Sequence, residues 1–431
     1  MPQRFLPQVH TLEELRQLQL RGLQWTVRHA YHGSAFYRQQ WQQAGLTPED
    51  VHSLDDLRRL PLVTASDLQD GYPFPLRAVP FEQIVRVHAS SGTTGKKKVL
   101  CYTQRDLDDW AHFFARGLEM AGLTSMDRVQ LCVGYGLWTA GIGFQLACER
   151  FGVLTIPTGP GNLDMQCQFL EDFQTTVVCC TASMALLLAE EVHRRGLQER
   201  LHLTKVIYGA ERSSAAMRQR IQTLLGVEHL FDIPGLTELY GPGTGMECQY
   251  HQGIHYWADY YLLEILDPET LEPVAEGDVG EMVVTTLRKE GAPLIRYRTR
   301  DLTRLRPGAC PCGSLMPRHD AIQGRSDDMI SCRGVNIYPS HIDMIISCMP
   351  HLGSEYQLIL ERESDGRDYM TVRVERAAGL EGASEAALVM QLGHAIKTQL
   401  MVTARVEVVD YGTLPRSERK SQRVVERRSN P

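Results

Sequence analysis

The sequence predicts an α/β protein with a large amino-terminal domain and a small α+β domain at the end of the chain. Between residues 128 and 208, short apolar runs alternate with segments of helical periodicity, which is typical of a mostly parallel sheet covered by helices. After residue 235 the apolar runs are separated by turns such as residues 276–278, which favours antiparallel strands or a small barrel. Beyond residue 324 a shorter pattern of helices and strands indicates a second domain.

The first elements are helical. Apolar residues recur at helical spacing through residues 11–45, so we expect two helices there. Ser53 and Asp56 precede another short apolar segment and predict a helix N-cap, and Pro61 ends that helix. An apolar strand at residues 84–88 then runs into a glycine-rich segment.

After the glycine-rich segment, a helix opens near Thr103 and extends over residues 106–120. The elements predicted downstream are strands at residues 128–133, 153–156, 176–180 and 205–208, helices at residues 143–151, 165–173 and 184–195, and strand-like runs at residues 262–266, 280–287, 302–305 and 405–409.

Charge and composition argue against several classes of protein. The net charge of −7 opposes a general attraction to nucleic acid or to an anionic membrane. The first residues lack the apolar core of a signal peptide, and no uncharged apolar run approaches the length of a membrane span. We therefore expect a cytoplasmic protein, in which most of the eleven cysteines are buried, reduced thiols.

The segment from His88 to Val99, HASSGTTGKKKV, has the composition of a phosphate-binding loop. Its glycines allow the backbone to approach an anion, and its hydroxyls and lysines supply donors and positive charge. The order of strand, loop and helix supports this interpretation, and a solvated surface loop is the alternative. It is not a Walker A loop, because Gly92 and Gly95 lie too close together and Lys97 stands where Ser or Thr is required.

Three further clusters combine glycine or arginine with polar residues. Thr237 and Glu238 lie between glycines in GLTELYGPG, Asp301 follows arginines in RYRTRDL, and Arg325 lies in GRSDDMISCRGVNIYP. Each cluster alone is a weak indication, because a turn carboxylate is more often a solvated cap than a ligand.

Taken together, these segments resemble the phenylacetate-CoA ligase family of the adenylate-forming superfamily of acyl-CoA synthetases, adenylation domains and luciferases. The resemblance covers nearly the whole chain through ordered blocks: AYHGSAFYRQQW, SLDDLRRLPLVTASDL, YPFPLRAVP, HASSGTTGK, YGLWTAGIG, YGAERS, YRTRDL, GRSDDMI, RGVNIYPS and LPRSERKSQRV. It implies an amino-terminal domain at residues 1–326, with parallel-rich sheets, covering helices and a small β-barrel, and a mobile α+β lid domain at residues 327–431.

The resemblance also implies two half-reactions. A carboxylate attacks the α-phosphate of Mg-ATP and releases pyrophosphate, and a thiol then displaces AMP from the acyl adenylate to form a thioester. We expect an aryl or arylacetic acid and CoA as substrates. A carrier-protein phosphopantetheine or an amine is the alternative acceptor, and a non-catalytic ligand-binding module on the same scaffold is the alternative of another class. Relatives are often dimers, so a homodimer is expected.

The family motifs assign nucleotide-binding roles to the matching residues. Thr237 would contact the α-phosphate, Glu238 would carry Mg²⁺ and Asp301 would bind the ribose hydroxyls. The other nucleotide-binding positions are Ser90, Ser91, Gly92, Thr93, Thr94, Gly95 and Lys96 in the phosphate loop, and Gly209, Ala210, Glu211, Asp232 and Arg325 elsewhere.

Two matched residues in the last part of the chain concern the lid. Lys420, in PRSERKSQRV, matches the family lysine whose ammonium contacts the reacting carboxylate and the α-phosphate. Asp327 matches the hinge about which the lid rotates between the two half-reactions. Without the resemblance, a lysine among arginines near a chain end would be interpreted as a solvated charge.

An aromatic and glycine-rich set is the candidate acid pocket, because glycines leave room for a flat ring and aromatic side chains can stack on it. Its members are Tyr135, Gly136, Trp138, Ala140, Gly141, Tyr240, Gly241, Pro242 and Gly243. Ordinary core packing is the alternative, and it is a strong one for Trp138.

A structural zinc site is also predicted. Cys310 and Cys312 are separated by one proline, so their thiolates can face one metal ion but cannot easily form a disulfide with each other. Cys248, with either His255 or His251, would complete a tetrahedral set. Unrelated reduced cysteines are the alternative.

The sequence departs from the family pattern at a few positions near these motifs. Lys97 and Lys98 stand where relatives usually have proline and threonine, and Pro234 replaces a tyrosine that stacks on adenine. Arg300 replaces the glycine before Asp301, and Arg419 replaces the glycine before Lys420.

Overall fold

The computed structural model describes residues 4–7, 9–90, 96–211, 213, 215–332, 335–362, 368–377, 384–415 and 423–428, without the side chains of Ala216 and Asn336. The α-helices are α1 Leu12–Gly33, α2 Ala35–Gln43, α3 Ala65–Asp70, α4 Gln104–Met120, α5 Ala140–Phe151, α6 Leu163–Asp172, α7 Ala182–Arg194, α8 Ala215–Leu225, α9 Pro339–Ser347 and α10 Glu385–Leu400. Short 3-10 helices lie at Pro48–Asp50, Asp55–Arg59, Phe81–Gln83 and Gln198–Arg200.

The strands are β1 Arg86–Ala89, β2 Val99–Tyr102, β3 Arg128–Cys132, β4 Leu154–Ile156, β5 Val177–Thr181, β6 Lys205–Gly209, β7 His229–Ile233, β8 Gly235–Leu236, β9 Gly241–Pro242, β10 Gly245–Glu247, β11 Ile254–Tyr256, β12 Tyr261–Leu266, β13 Gly280–Thr286, β14 Tyr297–Thr303, β15 Leu305–Arg306, β16 Arg318–His319, β17 Gly324–Arg325, β18 Ile330–Cys332, β19 Val335–Ile337, β20 Leu352–Arg362, β21 Asp368–Arg376, β22 Arg405–Val409 and β23 Val424–Glu426.

These elements form two compact units. Among the described residues, the first unit comprises those within 1–180, 200–210 and 227–322, and the second comprises those within 181–199, 211–226 and 323–431. In the first unit, β4, β3, β5, β6 and β7 are neighbours in that order in one sheet, and the pairs β3/β4, β3/β5 and β6/β7 are parallel. Every residue of β5 is buried, as expected for a parallel strand covered on both faces.

The helices predicted at the start of the chain are confirmed. The Thr11 hydroxyl accepts a hydrogen bond from the Glu14 N–H, which caps α1, and α1 buries Leu15, Leu23 and Val27 on one face. The helix predicted after Ser53 is a 3-10 helix of five residues, and the predicted N-cap is wrong, because Leu54 and not Ser53 holds that position. The Asp56 carboxylate instead accepts from the N–H groups of His52 and Ser53, which precede the helix.

The expected order of strand, glycine-rich loop and helix is wrong in one respect. A second strand, β2, lies between the loop and α4, and it pairs antiparallel with β1 through Ala89↔Val99 and Arg86↔Tyr102. The loop therefore joins two antiparallel strands. Thr103 begins α4 as predicted, because its hydroxyl accepts a hydrogen bond from the Asp106 N–H.

The antiparallel structure predicted after residue 235 is confirmed. In the first unit, β12, β13 and β14 follow one another as antiparallel neighbours. A second sheet has the order β10, β11, β16, β15 with antiparallel pairs. This second sheet carries the cysteine and histidine residues discussed below.

The second unit contains a mixed sheet and its own core. Its strand order is β22, β21, β20, β23, with β20 and β21 antiparallel and the two outer strands parallel to their neighbours. Buried residues of α9 and α10, including Ile342, Leu392 and Ile396, belong to one core with Leu358 and Val372 of the sheet. These helices and strands form the α+β structure predicted for the last part of the chain.

The prediction that most of the cysteines are buried thiols is confirmed. All eleven cysteines are free, and nine of them are buried. Within the described part of the chain, no helix combines the length and apolar character that a bilayer span requires.

Candidate active site and cysteine cluster

The loop Thr237–Tyr240 lies at an edge where ligands commonly bind in α/β proteins. It joins β8 to β9, which pair antiparallel through Gly235↔Pro242 and Leu236↔Gly241. β8 follows the carboxyl end of β7 in the parallel sheet. Carboxyl ends of parallel strands form the usual binding crevice of such sheets, so Thr237 and Glu238 are well placed to meet a ligand.

Glu238 is the buried charged residue of this loop, with 5% of its surface exposed. Its carboxylate contacts the ammonium of Lys98 and accepts a hydrogen bond of 3.0 Å from the Tyr297 hydroxyl. Burial alone would raise the pKa of Glu238. The charge and hydrogen bond of Lys98, a backbone hydrogen bond and the Tyr297 hydroxyl together outweigh burial and lower it. The side chain is therefore an ionised oxygen donor held in a fixed position.

Gly209 is the last residue of β6 and is followed by Ala210, and Asp232 lies on the neighbouring strand β7. A Cβ atom at Gly209 would come within 2.3 Å of the Ile233 carbonyl oxygen, so no larger residue fits there. Ala210 has a positive φ of 68°. The backbone N–H of Asp232 donates to the Glu247 carboxylate at 2.9 Å. The predicted adenine segment thus begins with a tightly packed backbone turn at the end of β6.

The Asp301 position shows why its family-typical neighbour is glycine. Arg300 adopts φ of 68°, in the left-handed region that favours glycine. Its guanidinium lies 3.5 Å from the buried Glu281 carboxylate, which compensates part of the backbone strain. The Asp301 N–H donates to the Thr299 hydroxyl at 3.0 Å.

Of the nucleotide-binding positions assigned to the phosphate loop, Ser90 and Lys96 are described, while Ser91 to Gly95 lie outside the described residues. The Ser90 N–H donates to the Lys98 carbonyl at 3.0 Å, and the buried Ser90 hydroxyl has no hydrogen-bond partner among the described atoms. The Lys96 ammonium lies 5.9 Å from the centre of the Tyr72 ring. Lys420, the predicted catalytic lysine, also lies outside the described part.

Three predicted residues belong to the second unit. The Glu211 carboxylate accepts a hydrogen bond from the Ser183 N–H at 3.0 Å, and burial raises the pKa of Glu211. Arg325 and Asp327 form a two-pronged ion pair, with both N–O distances at 2.9 Å. The proposed hinge residue is thus bonded to the arginine predicted to contact the nucleotide.

The two segments predicted to line an acid pocket come together in the first unit. A Cβ atom at Gly241 would lie 2.7 Å from Thr139, and one at Gly141 would lie 2.7 Å from the Tyr135 ring. Trp138 is half-buried, and Tyr135 is 40% exposed. The remaining members are in part buried in the core (Ala140, Tyr240, Gly241 and Gly243) and in part more exposed (Gly136 and Pro242).

Sequence reasoning missed several residues of this region. The Trp110 ring packs directly against two glycines, since Cβ atoms added at Gly143 and Gly241 would lie 2.4 and 2.6 Å from the ring. The Nε1–H of Trp110 donates to the Pro242 carbonyl. Its only sequence signal is its place on the buried face of α4. Lys289 and Tyr297 were missed because nothing in the local sequence marks a buried lysine or the partner of a distant carboxylate.

The four residues predicted to bind zinc lie together. The ligand atoms of Cys248, His255, Cys310 and Cys312 all lie within 4.8 Å of one another. The sulfurs of Cys248 and Cys310 are 3.6 Å apart, and the Cys312 sulfur is 3.4 Å from Nε2 of His255. His255, and not His251, completes the cluster.

Three further contacts distinguish His255 from His251. Nδ1–H of His255 donates to the Met316 carbonyl at 2.8 Å, which leaves the lone pair on Nε2 facing Cys312. Burial lowers the pKa of His255 and so favours the neutral, ligating form. His251 instead contacts the Glu247 carboxylate at 3.3 Å and the His229 ring at 3.4 Å.

Comparison with known proteins agrees with this architecture. Family models described as "AMP-binding enzyme" and "AMP-binding enzyme C-terminal domain" match residues 30–287 and 334–428. Phenylacetate-coenzyme A ligase of Escherichia coli (strain K12) is 42% identical over 425 residues, which cover 97% of this chain and 96% of that protein. The Pseudomonas putida enzyme of the same name is 40% identical and covers 97% of this chain and 95% of its own.

Among solved structures, 2-hydroxyisobutyryl-CoA ligase in complex with 2-HIB-AMP is similar, with a TM-score of 0.87 and 28% identity, covering 99% of this chain and 94% of that one. Sequence motifs, fold and full-length identity therefore lead to one assignment. The chain belongs to the phenylacetate-CoA ligase family of AMP-binding, adenylate-forming enzymes.

Proposed function

We propose that the protein converts an aryl or arylacetic acid, with phenylacetate as the first candidate, into its CoA thioester through an acyl adenylate. As a member of this family it is an AMP-forming acid–thiol ligase that uses ATP and CoA. The observation that carries the choice of acid is identity above 40% across almost the full length to a ligase named for phenylacetate.

The residues of the first unit support the adenylation step. The acid carboxylate attacks the α-phosphorus of ATP, and the bond to pyrophosphate breaks as the acyl adenylate forms. Thr237 contacts the α-phosphate, Asp301 binds the ribose hydroxyls, and Gly209 and Ala210 line the adenine. Asp232 is a further nucleotide-binding residue of this proposal. Electrostatic neutralisation and positioning provide most of the catalysis in such transfers.

Glu238 has the donor chemistry that magnesium requires. It presents a buried, ionised carboxylate, and Mg²⁺ prefers carboxylate oxygens together with phosphate oxygens and water. When bound, the ion neutralises charge that develops on the phosphates. Ser90 and Lys96, together with Ser91 to Gly95, hold the β- and γ-phosphates.

For the second step, the CoA thiol attacks the acyl carbonyl and AMP leaves. We place the domain boundary at Asp327, so that residues 327–431 act as the lid, and we assign Lys420 to adenylation and Glu211 and Arg325 to nucleotide contacts. The aromatic and glycine set around Tyr135, Trp138 and Gly241 binds the ring of the acid. A homodimer stays part of this proposal.

We also assign a structural zinc ion to Cys248, His255, Cys310 and Cys312. Three sulfurs and one imidazole nitrogen within 4.8 Å of one another are a suitable donor set for tetrahedral Zn²⁺. The ion would join the segment after β10 to the segment after β15 and supply folding energy, without a part in the reaction.

The test is ATP–pyrophosphate exchange with phenylacetate, ring-substituted phenylacetates, benzoates and an aliphatic acid as control. Phenylacetate or a close arylacetate should give the highest kcat/KM. Free CoA and a carrier-protein phosphopantetheine are then compared as acceptors of the acyl adenylate. Exchange at background with every aromatic acid would overturn the proposed substrate class, and acylation of the carrier alone would overturn CoA as the acceptor.

A further inference from the structure

The four consecutive carbonyl groups of the loop Thr237–Tyr240 are all bonded to two buried side chains. The Lys289 ammonium donates to the carbonyls of Glu238 at 2.9 Å and of Leu239 at 2.7 Å. The Tyr102 hydroxyl lies 3.1 Å from the carbonyl of Thr237 and 2.9 Å from that of Tyr240. A hydroxyl has one proton, so Tyr102 shares it between these two acceptors.

Both donors are fully buried and are themselves held in place. Tyr102 is the last residue of β2 and directly precedes the cap of α4. The residues after Lys289 are fixed because the buried Asp106 carboxylate accepts from the N–H groups of Glu290 at 2.7 Å and Gly291 at 2.8 Å. The donors are therefore rigid supports for the loop.

A fully buried lysine is costly unless its charge is compensated, since an ammonium loses its hydration on burial. Lys289 is 0% exposed, and its ammonium lies 4.6 Å from the Tyr102 ring centre and 4.8 Å from that of Tyr240. Two carbonyls, two ring faces and the nearby charge of Asp106 compensate it. An apolar side chain would fill the same space at lower cost, so core filling alone does not account for a lysine.

The arrangement of the loop gives the lysine a function. Because its carbonyls are drawn into the core, the backbone of Glu238 cannot rotate without losing buried hydrogen bonds. The carboxylate of Glu238 is then aimed by a fixed backbone and by Tyr297, which donates to it at 3.0 Å. Catalytic groups must be held within a fraction of an ångström for full rate.

We infer that Lys289 and Tyr102 are positioning residues that hold the Thr237–Glu238 loop in the geometry required for adenylation. The inference rests on the proposed function, in which Thr237 and Glu238 meet the α-phosphate and magnesium. Neither residue touches the reacting atoms in this assignment, so their effect passes through the loop.

The experiment compares Tyr102→Phe and Lys289→Met with Tyr37→Phe as matched control. Tyr37 is also a fully buried tyrosine, whose hydroxyl donates to the Pro293 carbonyl at 2.9 Å and not to the loop. Tyr102→Phe removes one oxygen atom and keeps the ring, so it is the variant that retains the fold if Lys289→Met does not.

Two readouts are measured. The first is pyrophosphate exchange, in which kcat should fall about tenfold in Tyr102→Phe and more in Lys289→Met. KM for the acid should change less than kcat, since Tyr240 is the one member of the predicted acid pocket that belongs to the loop Thr237–Tyr240. The second is hydrogen exchange of the Leu239 and Tyr240 amides, which donate to the Leu236 carbonyl at 3.0 and 3.2 Å. These amides should exchange faster in both variants and not in Tyr37→Phe.

The outcomes are distinguishable. Wild-type hydrogen exchange in the loop together with kcat within twofold of wild type overturns the positioning role and leaves the proposed function intact. An equal loss of melting temperature, kcat and acid affinity also overturns it, in favour of a general structural role. If the wild-type protein gives no pyrophosphate exchange with any acid, the proposed function fails, and the loop amides alone decide whether the two donors hold the loop.

Discussion

The ammonium of Lys98 contacts the carboxylate of Glu238, the same buried carboxylate to which we assign magnesium. Lys98 stands directly before β2, where relatives usually have threonine. The protein therefore places one of its own cations at the position where the proposed reaction needs a divalent one. Under the proposed assignment of magnesium to Glu238, the two cations would compete for one carboxylate.

Lys98→Thr should lower the magnesium concentration for half-maximal pyrophosphate exchange several-fold, because the competing charge is removed. Mn²⁺ binding to the ATP complex, followed by electron paramagnetic resonance, should strengthen in parallel. The exposed neighbour Lys97 provides the control variant Lys97→Thr. A higher magnesium requirement in Lys98→Thr would contradict competition and indicate that Lys98 assists the ion.

Lys420→Ala should slow adenylation by about 100-fold or more, since the proposed ammonium contacts both the carboxylate and the α-phosphate. Thioester formation from a supplied acyl adenylate should stay within a few-fold of wild type, because in the proposed rotation the lid would present other residues in that step. The two half-reactions are measured separately, by pyrophosphate exchange and by consumption of the adenylate with CoA. Equal loss of both would contradict the rotating-lid assignment.

Protein purified without added zinc should contain about one equivalent of the metal by elemental analysis. Cys310→Ser should lose the metal and lower the melting temperature, because it removes one of four ligands. Cys348→Ser is the matched control, since Cys348 is exposed and lies outside the cluster. A folded, metal-free wild-type protein with the same melting temperature after chelator treatment would remove the zinc assignment.

Protonation of the buried His88 should lower the free energy of unfolding in mild acid. His88 is 2% exposed, and burial lowers its pKa, to which the positive charges of Arg86 and Lys289 contribute. The contact of Nδ1 with the Leu137 carbonyl opposes this effect and raises the pKa, but it does not outweigh burial. Below about pH 6.5 the unfolded chain binds a proton that the folded chain does not. The free energy of unfolding therefore decreases as the pH is lowered. The slope contributed by one such group is at most about 1.4 kcal/mol per pH unit.

His88→Asn keeps a donor for the Leu137 carbonyl but does not titrate. Its free energy of unfolding, measured by urea denaturation from pH 7 to pH 5, should therefore change less with pH than that of the wild type. The exposed His32 supplies the control variant His32→Asn. Identical slopes in all three proteins would exclude His88 as the source.

Arg300→Gly should be more stable than Arg300→Ala by about 0.5 to 1 kcal/mol, because a left-handed φ costs a residue with a Cβ atom more than glycine loses in unfolded-chain entropy. Both variants lack the contact with Glu281, so their difference isolates the backbone. Chemical denaturation measures it. Greater stability of the alanine variant would show that the backbone at this position is not strained.

Much of the architecture is contained in local sequence patterns. The alternation of apolar runs and helical periodicity over residues 128–208 predicts the parallel sheet, because strands buried on both faces need continuous apolar runs. The helix cap at Thr103 follows from a hydroxyl and a carboxylate three residues apart. Such features depend on residues that are neighbours in the chain, so they can be predicted without knowledge of the fold.

Other features depend on residues that only folding brings together. The motif Thr237-Glu238 is recognisable through the family resemblance, but its partners Lys98, Tyr102 and Lys289 come from distant segments with no periodic signal. The spacing of Cys310 and Cys312 indicates a metal site, whereas the choice of His255 over His251 depends on the pairing of β11 with β10 and β16. The sequence by itself determined the alternating helices and strands of the parallel sheet, because these follow from short-range patterns of polarity, and its ordered motifs indicated the family. Only the tertiary structure decided which side chains hold Glu238 and complete the cysteine cluster, because those contacts arise from long-range packing.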